Sequence, residues 1–248
     1  MNLKQYLQML AAFWRREWLV RYGQSFGGLV FLLANPALMV GLKWVNRTPD
    51  TPLASYHFFL FGLMWWLFLS SLITNAAAVV SSHADLVRKN AFPRSILVLL
   101  PLCLGLLDWA FGVLLFVLFD WFYFPELVPQ VAYLLPLFFM LLPFAFGLSA
   151  LLISILFRFP KLRYAIPFLL ILVFISCQFF QGGSPSEVYI WLNPVAGFMT
   201  YEGLYLKFHL ANHCIYPSLP YVSLGVGLVY WVVGFLLFRF VSPRLADF

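Results

Sequence analysis

The chain has 248 residues, of which 63% are hydrophobic and only 10% are charged, and its mean hydropathy is +0.91. A soluble domain carries about 25% charged residues, so this composition excludes a chain whose whole surface faces water. The formal net charge of +6 does not indicate a nucleic-acid partner, because excess Lys and Arg in a membrane protein set its orientation. We therefore expect an all-α, polytopic membrane protein.

The N-terminal segment 3–22 has apolar residues at helical spacing, interrupted by Lys4, Gln8, Arg15 and Arg16. This pattern predicts an amphipathic interface helix, with Trp and Phe in lipid and Arg towards phosphates. The segment lacks the apolar core and small-residue cleavage site of a signal peptide, so we expect no cleavable signal there.

Six apolar segments have the length and composition of transmembrane helices. We expect a single transmembrane domain, 1–248, with spans at 26–44, 56–80, 96–119, 131–157, 164–180 and 219–240. The first span contains Asn35-Pro36, where a proline bends a helix. Two breaks stand out, a charged segment at 81–95 and an apolar segment at 182–217 that Gly, Pro and Asn interrupt repeatedly.

The orientation of the spans follows from where Lys and Arg fall. Twelve lie in segments assigned to one side: Lys4, Arg15, Arg16, Arg21, Arg88, Lys89, Arg94, Arg158, Lys161, Arg163, Arg239 and Arg244. The other side has three: Lys43, Arg47 and Lys207. The positive-inside rule therefore predicts that both termini are cytoplasmic. This placement requires an even number of spans, so the charges agree with a count of six.

The sequence contains no motif that predicts an ATP-binding, catalytic or metal site in this chain. It contains no G-x-x-x-x-G-K-[ST] motif, so we expect no phosphate loop for ATP and no cofactor. No G-x-S-x-G or comparable nucleophile setting occurs. His209, His213 and Cys214 could share a helix face, but no suitable carboxylate accompanies them, and two loop histidines are the simpler interpretation. No metal site is predicted.

Asp108 lies well inside the third span, where a carboxylate costs about 3 kcal/mol on insertion scales. Asp108 therefore faces protein or water, and a role in helix packing is favoured over a role in a proton path.

The aromatic run that includes Trp65, Trp66 and Phe68 has two interpretations. The rings contact lipid, or they line a pore whose aromatic faces let sugar rings slide. Composition does not separate the two.

The structure of segment 81–95 also has two interpretations. It has capping serines, the run Asp85 to Lys89, and a stop at Pro93. This describes a short cytoplasmic helix ended by proline, or a solvated loop whose basic residues maintain topology. Composition alone favours the loop.

The order of these features resembles a known family. The motifs that carry the resemblance are R-Y-G-Q-S-F-G-G (21–28), Asn35-Pro36, F-G-L-M-W-W-L-F-L-S-S (61–71), D-L-V-R-K-N-A-F-P-R (85–94), F-P-K-L-R-Y-A-I-P (159–167), F-I-S-C (174–177) and W-L-N-P (191–194). Together they are similar to the membrane subunits of bacterial ATP-binding-cassette exporters of capsular polysaccharide, O-antigen or teichoic acid. The resemblance covers nearly the whole chain.

The resemblance implies that 81–95 is a coupling helix that docks on an ATPase chain, which reverses the preference for a loop. The implied ATPase-coupling residues are Asp85, Leu86, Val87, Arg88, Lys89, Phe92, Pro93, Arg94, Arg15, Arg16, Lys161 and Arg163. It also implies that Val188–Leu206, within the external segment 182–217, forms re-entrant helices that cap a channel. The candidate channel and gate residues are Trp65, Trp66, Phe68, Asp108, Tyr189, Trp191, Asn193, Pro194 and Tyr201.

The resemblance further implies a bacterial inner-membrane location, a second copy of this chain, and two ATP-binding-cassette subunits that bind ATP and Mg²⁺. A lipid-linked glycan would pass between the two copies, and periplasmic or outer-membrane polysaccharide export proteins are compatible partners. This chain departs from the family at Arg158–Arg163, where many relatives carry Arg-Asp and this one reads R-F-P-K-L-R.

Two other hypotheses stay open at the level of sequence. A permease of the same architecture could export a small lipid or drug, and glycosyltransferase genes nearby would favour the glycan. A membrane-embedded enzyme would need a convergent cluster, whereas Asp108 and the loop histidines fall at different depths.

Overall fold

The computed structural model describes residues 2–20, 26–45, 54–82, 93–125, 128, 134–176 and 219–242. Their α-helices are α1 Leu3–Trp18, α2 Phe26–Val45, α3 Ala54–Ser82, α4 Ser95–Tyr123, α5 Leu134–Arg158, α6 Ile166–Ser176 and α7 Leu219–Val241. A 3₁₀ segment, Pro160–Ala165, connects α5 to α6. These ranges contain no strand, and the all-α prediction is confirmed for them.

Among the described residues, four helices, α3, α4, α5 and α7, are long and apolar enough to cross a membrane. The prediction of a multi-pass membrane protein is therefore confirmed. Pro36–Val45 of α2 forms a shorter apolar stretch, and α6 has 11 residues, so the count of six spans stays a prediction.

The span expected at 164–180 begins differently. Residues 164 and 165 belong to the 3₁₀ segment, and the α-helix starts at Ile166. Pro167 suits this start, because a proline in the first turn of a helix replaces an N–H that has no intrahelical partner. In contrast, α4 runs past the expected end at 119 to Tyr123.

The helices α2 to α6 alternate in direction. In an antiparallel pair, contacting residues rise in number along one helix and fall along the other. Such contacts are Trp44–Tyr56 for α2 and α3, Phe61–Phe116 and Trp65–Trp109 for α3 and α4, Val98–Ser149 and Trp109–Phe138 for α4 and α5, and Trp66–Phe174 with the Ile73–Ile166 cluster for α3 and α6.

Helix α3 is the most enclosed element, and it packs on α4 most extensively and also on α5, α6 and the end of α2. Every residue from 59 to 69 is buried. A helix that is apolar all round is expected in such a position. The aromatic half of α3 therefore forms the core on which α4, α5 and α6 pack, while α7 packs on α5.

Helices α5 and α7 run in the same direction and touch at their backbones. A Cβ on Gly147 would overlap the backbone of Tyr230, and a Cβ on Gly234 would overlap the backbone of Gly147. Gly227 lies one heptad before Gly234 and approaches Phe144. Small residues let transmembrane helices approach closely, and dispersion and backbone contacts then stabilise the pair.

The aromatic side of helix α1 packs on protein. The Tyr6 hydroxyl lies 2.8 Å from Ser95 Oγ, and Trp14 Nε1 donates to the Cys103 carbonyl at 3.3 Å. Both pairs are separated by 89 residues, so α1 runs beside α4 in the same direction over about 12 Å. Phe13 and Trp14, which the pattern predicts to lie in lipid, are partly buried against a cluster from α3, α4 and α5, so both side chains contact protein. The interface helix stays a prediction.

We expect Gly234→Ala to destabilise the protein by about 1–3 kcal/mol, because the added methyl forces α7 away from α5. The matched control is Gly225→Ala on the same helix, where a Cβ meets nothing within 4 Å. That change should be neutral or slightly stabilising, because Ala is the better helix former. Thermal unfolding of both variants in detergent measures the difference, and equal melting temperatures would contradict the backbone contact.

Candidate functional site

The described basic residues gather at one end of the bundle, which we call the inner end. Arg94 precedes α4, Arg239 lies in the last turn of α7 and Arg158 ends α5. Lys4, Lys161 and Arg163 also lie near this end, whereas Arg15 and Arg16 follow Trp14 on α1, about 12 Å farther along α4. Lys43 lies at the opposite end, with its Nζ 5.8 Å from the centre of the Phe59 ring. The fold therefore collects the positive charge that the sequence assigns to the cytoplasm.

Pro93, Arg94 and Ser95 lie where the predicted coupling segment meets α4. The Arg94 guanidinium donates to the Ser242 carbonyl, just past the end of α7, while Ser95 pairs with Tyr6 of α1. Unpaired carbonyls at a helix C-terminus carry partial negative charge and attract a cation. Arg94, predicted only as an ATPase contact, thus joins two helices within this chain.

The turn between α5 and α6 is exposed from Arg158 to Ala165. It displays Lys161 and Arg163 together with the apolar side chains of Phe159 and Leu162. Arg163 Nη2 donates to the Tyr164 hydroxyl at 3.0 Å. This hydrogen bond, and then the positive charge, lower the pKa of Tyr164 from its ordinary value. Both predicted coupling residues of this turn are accessible to a partner.

Arg15 and Arg16 are exposed on α1. The opposite side of this helix, with Tyr6, Phe13 and Trp14, is partly buried against the bundle. One face of α1 therefore packs against the transmembrane helices, and the face with Arg15 and Arg16 is exposed.

The candidate channel residues Trp65, Trp66 and Phe68 are buried inside this copy, with 0%, 7% and 1% of their surface exposed. Trp65 packs 6.0 Å from Trp109 between ring centres. Trp66 meets Phe174 edge to face, and Phe68 meets Phe138 in the same way. Neighbouring rings occupy the space that a sliding sugar would need, so we assign these three side chains to packing within one copy.

The inner half of α3 leaves one face uncovered. Thr74 is exposed, and Ser70 and Ala78, one turn away on either side, are partly exposed. Thr74 Oγ1 donates to the Ser70 carbonyl at 2.8 Å, and the Ser82 hydroxyl donates to the Ala78 carbonyl at 2.9 Å. The Thr74 hydroxyl oxygen has lone pairs that can accept a hydrogen bond from a further group. We call Ser70, Thr74, Ala78 and Ser82 the hydroxyl face.

Polar side chains are buried or half-buried next to the hydroxyl face, on α3, and closer to the outer end of the bundle, on α4. Asn75 Nδ2 donates to Ser71 Oγ at 2.9 Å, and Asn75 Oδ1 has no hydrogen-bond partner among the described residues. Asp108 is half-buried in the middle of α4. Asp120, near the outer end of α4, is 1% exposed and therefore faces protein.

Several predicted site residues lie outside the described residues. These are Asp85, Leu86, Val87, Arg88, Lys89, Phe92, Tyr189, Trp191, Asn193, Pro194 and Tyr201. His209, His213 and Cys214 lie outside them as well. Their assignments stay predictions. Among the described residues, no group of three His, Cys, Asp or Glu side chains has metal-site geometry.

Sequence reasoning missed Tyr6, Ser95 and Ser242, because pairs about 90 or 150 residues apart leave no local pattern. It also missed Thr74, whose exposure depends on which helices surround α3. Gly227 and Gly234 did carry a signal, since glycines one heptad apart share a helix face.

If Trp65 is a packing residue, Trp65→Ala should destabilise the protein by about 3–5 kcal/mol, as for other large core truncations. Trp121→Ala is the control, because Trp121 on α4 is 65% exposed. Thermal unfolding in detergent should separate the two variants. A Trp65→Ala protein as stable as Trp121→Ala would instead indicate a ring that faces open space.

Comparison with known proteins identifies two relatives of this chain. It is 30% identical over 99 residues to the O-antigen export system permease protein RfbA of Myxococcus xanthus, covering 39% of this chain and 38% of the relative. It is 27% identical over 99 residues to the protein of the same name from Klebsiella pneumoniae, with the same coverage. The matches thus span about two fifths of the relatives' length. No family model matches the chain. The resemblance to an exporter permease subunit is confirmed by these two relatives.

Proposed function

We propose that this chain is the permease subunit of an ATP-driven exporter that moves a lipid-linked polysaccharide, of O-antigen or capsule type, across the bacterial inner membrane. The similarity to the two O-antigen export permeases carries this proposal. The bundle of apolar helices with a basic inner end supports it. ATP and Mg²⁺ belong to a separate ATPase subunit in this proposal.

The proposal includes six spans with both termini in the cytoplasm. Positive charge at the inner end supports this orientation, because Lys and Arg concentrate on the cytoplasmic side. The alternating directions of α2 to α6 also support it. Helices α5 and α7 are parallel, as expected if the chain crosses the membrane once between them.

The energy for transport enters at the inner end in this scheme. Charged and apolar side chains that are accessible there, on α1 and on the turn from Arg158 to Ala165, suit an ATPase subunit as partner. Two copies of each subunit, with the glycan between the two permease copies, complete the proposed assembly. Periplasmic export proteins could receive the glycan.

We place the glycan path along the hydroxyl face of α3 rather than through the aromatic cluster around Trp65. A glycan presents many hydroxyl groups, which need hydrogen-bonding partners or water when they leave solvent. The exposed Thr74 offers such a group, whereas Trp65 is fully covered. Asp108, half-buried on α4, stays a candidate for the same path.

Thr74→Trp should reduce glycan export at least fivefold, because the indole would narrow the proposed path. Leu114→Trp is the control, since Leu114 is 51% exposed on α4 and lies away from the hydroxyl face. Export is measured as glycan reaching the periplasmic side in cells with equal amounts of permease and ATPase. Normal export by the Thr74→Trp protein would contradict this path.

Reversal of charge at Arg88 and Lys89 tests the coupling claim. The double change Arg88→Glu, Lys89→Glu should lower ATP hydrolysis by the purified permease–ATPase complex, because this segment is proposed to dock on the ATPase. The control is the reversal of Lys43, at the opposite end of the bundle. Unchanged hydrolysis in an intact Arg88, Lys89 double variant would refute the claim. Transport of a small lipid without a glycan by the unmodified complex would favour the alternative cargo.

A further inference from the structure

Three side-chain contacts in the inner half of the bundle join helices that are distant in sequence. Arg94 bonds to the carbonyl of Ser242 after α7. The Tyr6 hydroxyl of α1 hydrogen-bonds to Ser95, the residue that follows Arg94. Trp14, two turns farther along α1, bonds to the Cys103 carbonyl of α4. The first residues of α4 thus hold α1 on one side and the end of α7 on another.

An apolar cluster fills the space between these contacts. Phe13 and Trp14 of α1 and Phe238 and Val241 of α7 pack against the same buried residues. Those buried residues include Leu97, Val98 and Leu100 in the first turns of α4 together with Ala150 and Ile153 of α5. The polar contacts therefore border a dry, close-packed junction, where interior groups move together because small gaps forfeit dispersion contacts.

We propose that Arg94 is a positioning residue that fastens the end of α7 to the start of α4, and that with the Tyr6–Ser95 contact it makes α1, α4 and α7 move as one body during transport. This inference rests on the proposed function, because only a driven permease has a movement to transmit. It differs from direct ATPase contact, since the guanidinium of Arg94 is engaged within the chain.

The chemistry of the contact explains why arginine suits this position. A guanidinium is always charged and carries five N–H donors, so one donor can bind the Ser242 carbonyl while others remain for a second acceptor. The carbonyl end of α7 carries partial negative charge, which a cation stabilises. A glutamine keeps a donor but loses reach and charge, whereas lysine keeps the charge.

The test uses the full-length permease assembled with its ATPase in liposomes that contain the lipid-linked glycan. Arg94→Gln should retain assembly but export at least fivefold less glycan for each ATP hydrolysed. Hydrogen exchange should speed up in the last turn of α7 and not in α3. Arg94→Lys should recover at least half of the lost export per ATP, and Tyr6→Phe should lower it in the same direction.

The matched control is Arg239→Gln, because Arg239 is an exposed arginine in the last turn of α7. It should match the unmodified chain. The inference is overturned if Arg94→Gln behaves like Arg239→Gln, if it lowers the melting temperature and speeds exchange throughout the bundle, or if it prevents binding of the ATPase. Failure of the unmodified complex to move the glycan would instead refute the proposed function.

Discussion

The enclosure of α3 is the constraint on which the rest of the bundle depends. Lipid tails are as apolar as leucine, so transmembrane helices gain little from hiding apolar surface from each other and associate through close packing. The continuous burial of residues 59–69 is achieved by interlocking rings from α4, α5 and α6. The helices around α3 must keep their positions to preserve these contacts.

Packing therefore divides the bundle along its length. In the outer half, large aromatic side chains hold the helices together, and few polar groups lie between them. The inner half contains the smaller side chains of α3, including Thr74 and Ala78, and the polar links made by Arg94 and Tyr6. Large rings resist sliding because each fills a fitted space. In the inner half, the links made by Arg94 and Tyr6 join α1, α4 and the end of α7, so these helices are suited to shift together rather than past one another.

The amino-acid sequence predicts the helices well because twenty apolar residues in a row have few other solutions in lipid. The boundaries of α2, α3 and α7 fall within two residues of those expected. Tertiary partners were harder to predict. The aromatic pattern of Phe13 and Trp14 looks the same whether lipid or protein covers it, and Trp65 looks like a lipid or channel residue until its neighbours are known.

The contact between Gly147 and the last transmembrane helix also bears on biosynthesis. About sixty residues separate the end of α5 from the start of α7. During translation, the groove at Gly147 and Phe144 is therefore made well before the helix that fills it. Lipid tails or a chaperone must occupy this groove until α7 leaves the translocon. Because the bare backbone of the groove admits only a close-fitting ridge, its shape can reject other helices and so act as a late checkpoint for correct membrane insertion.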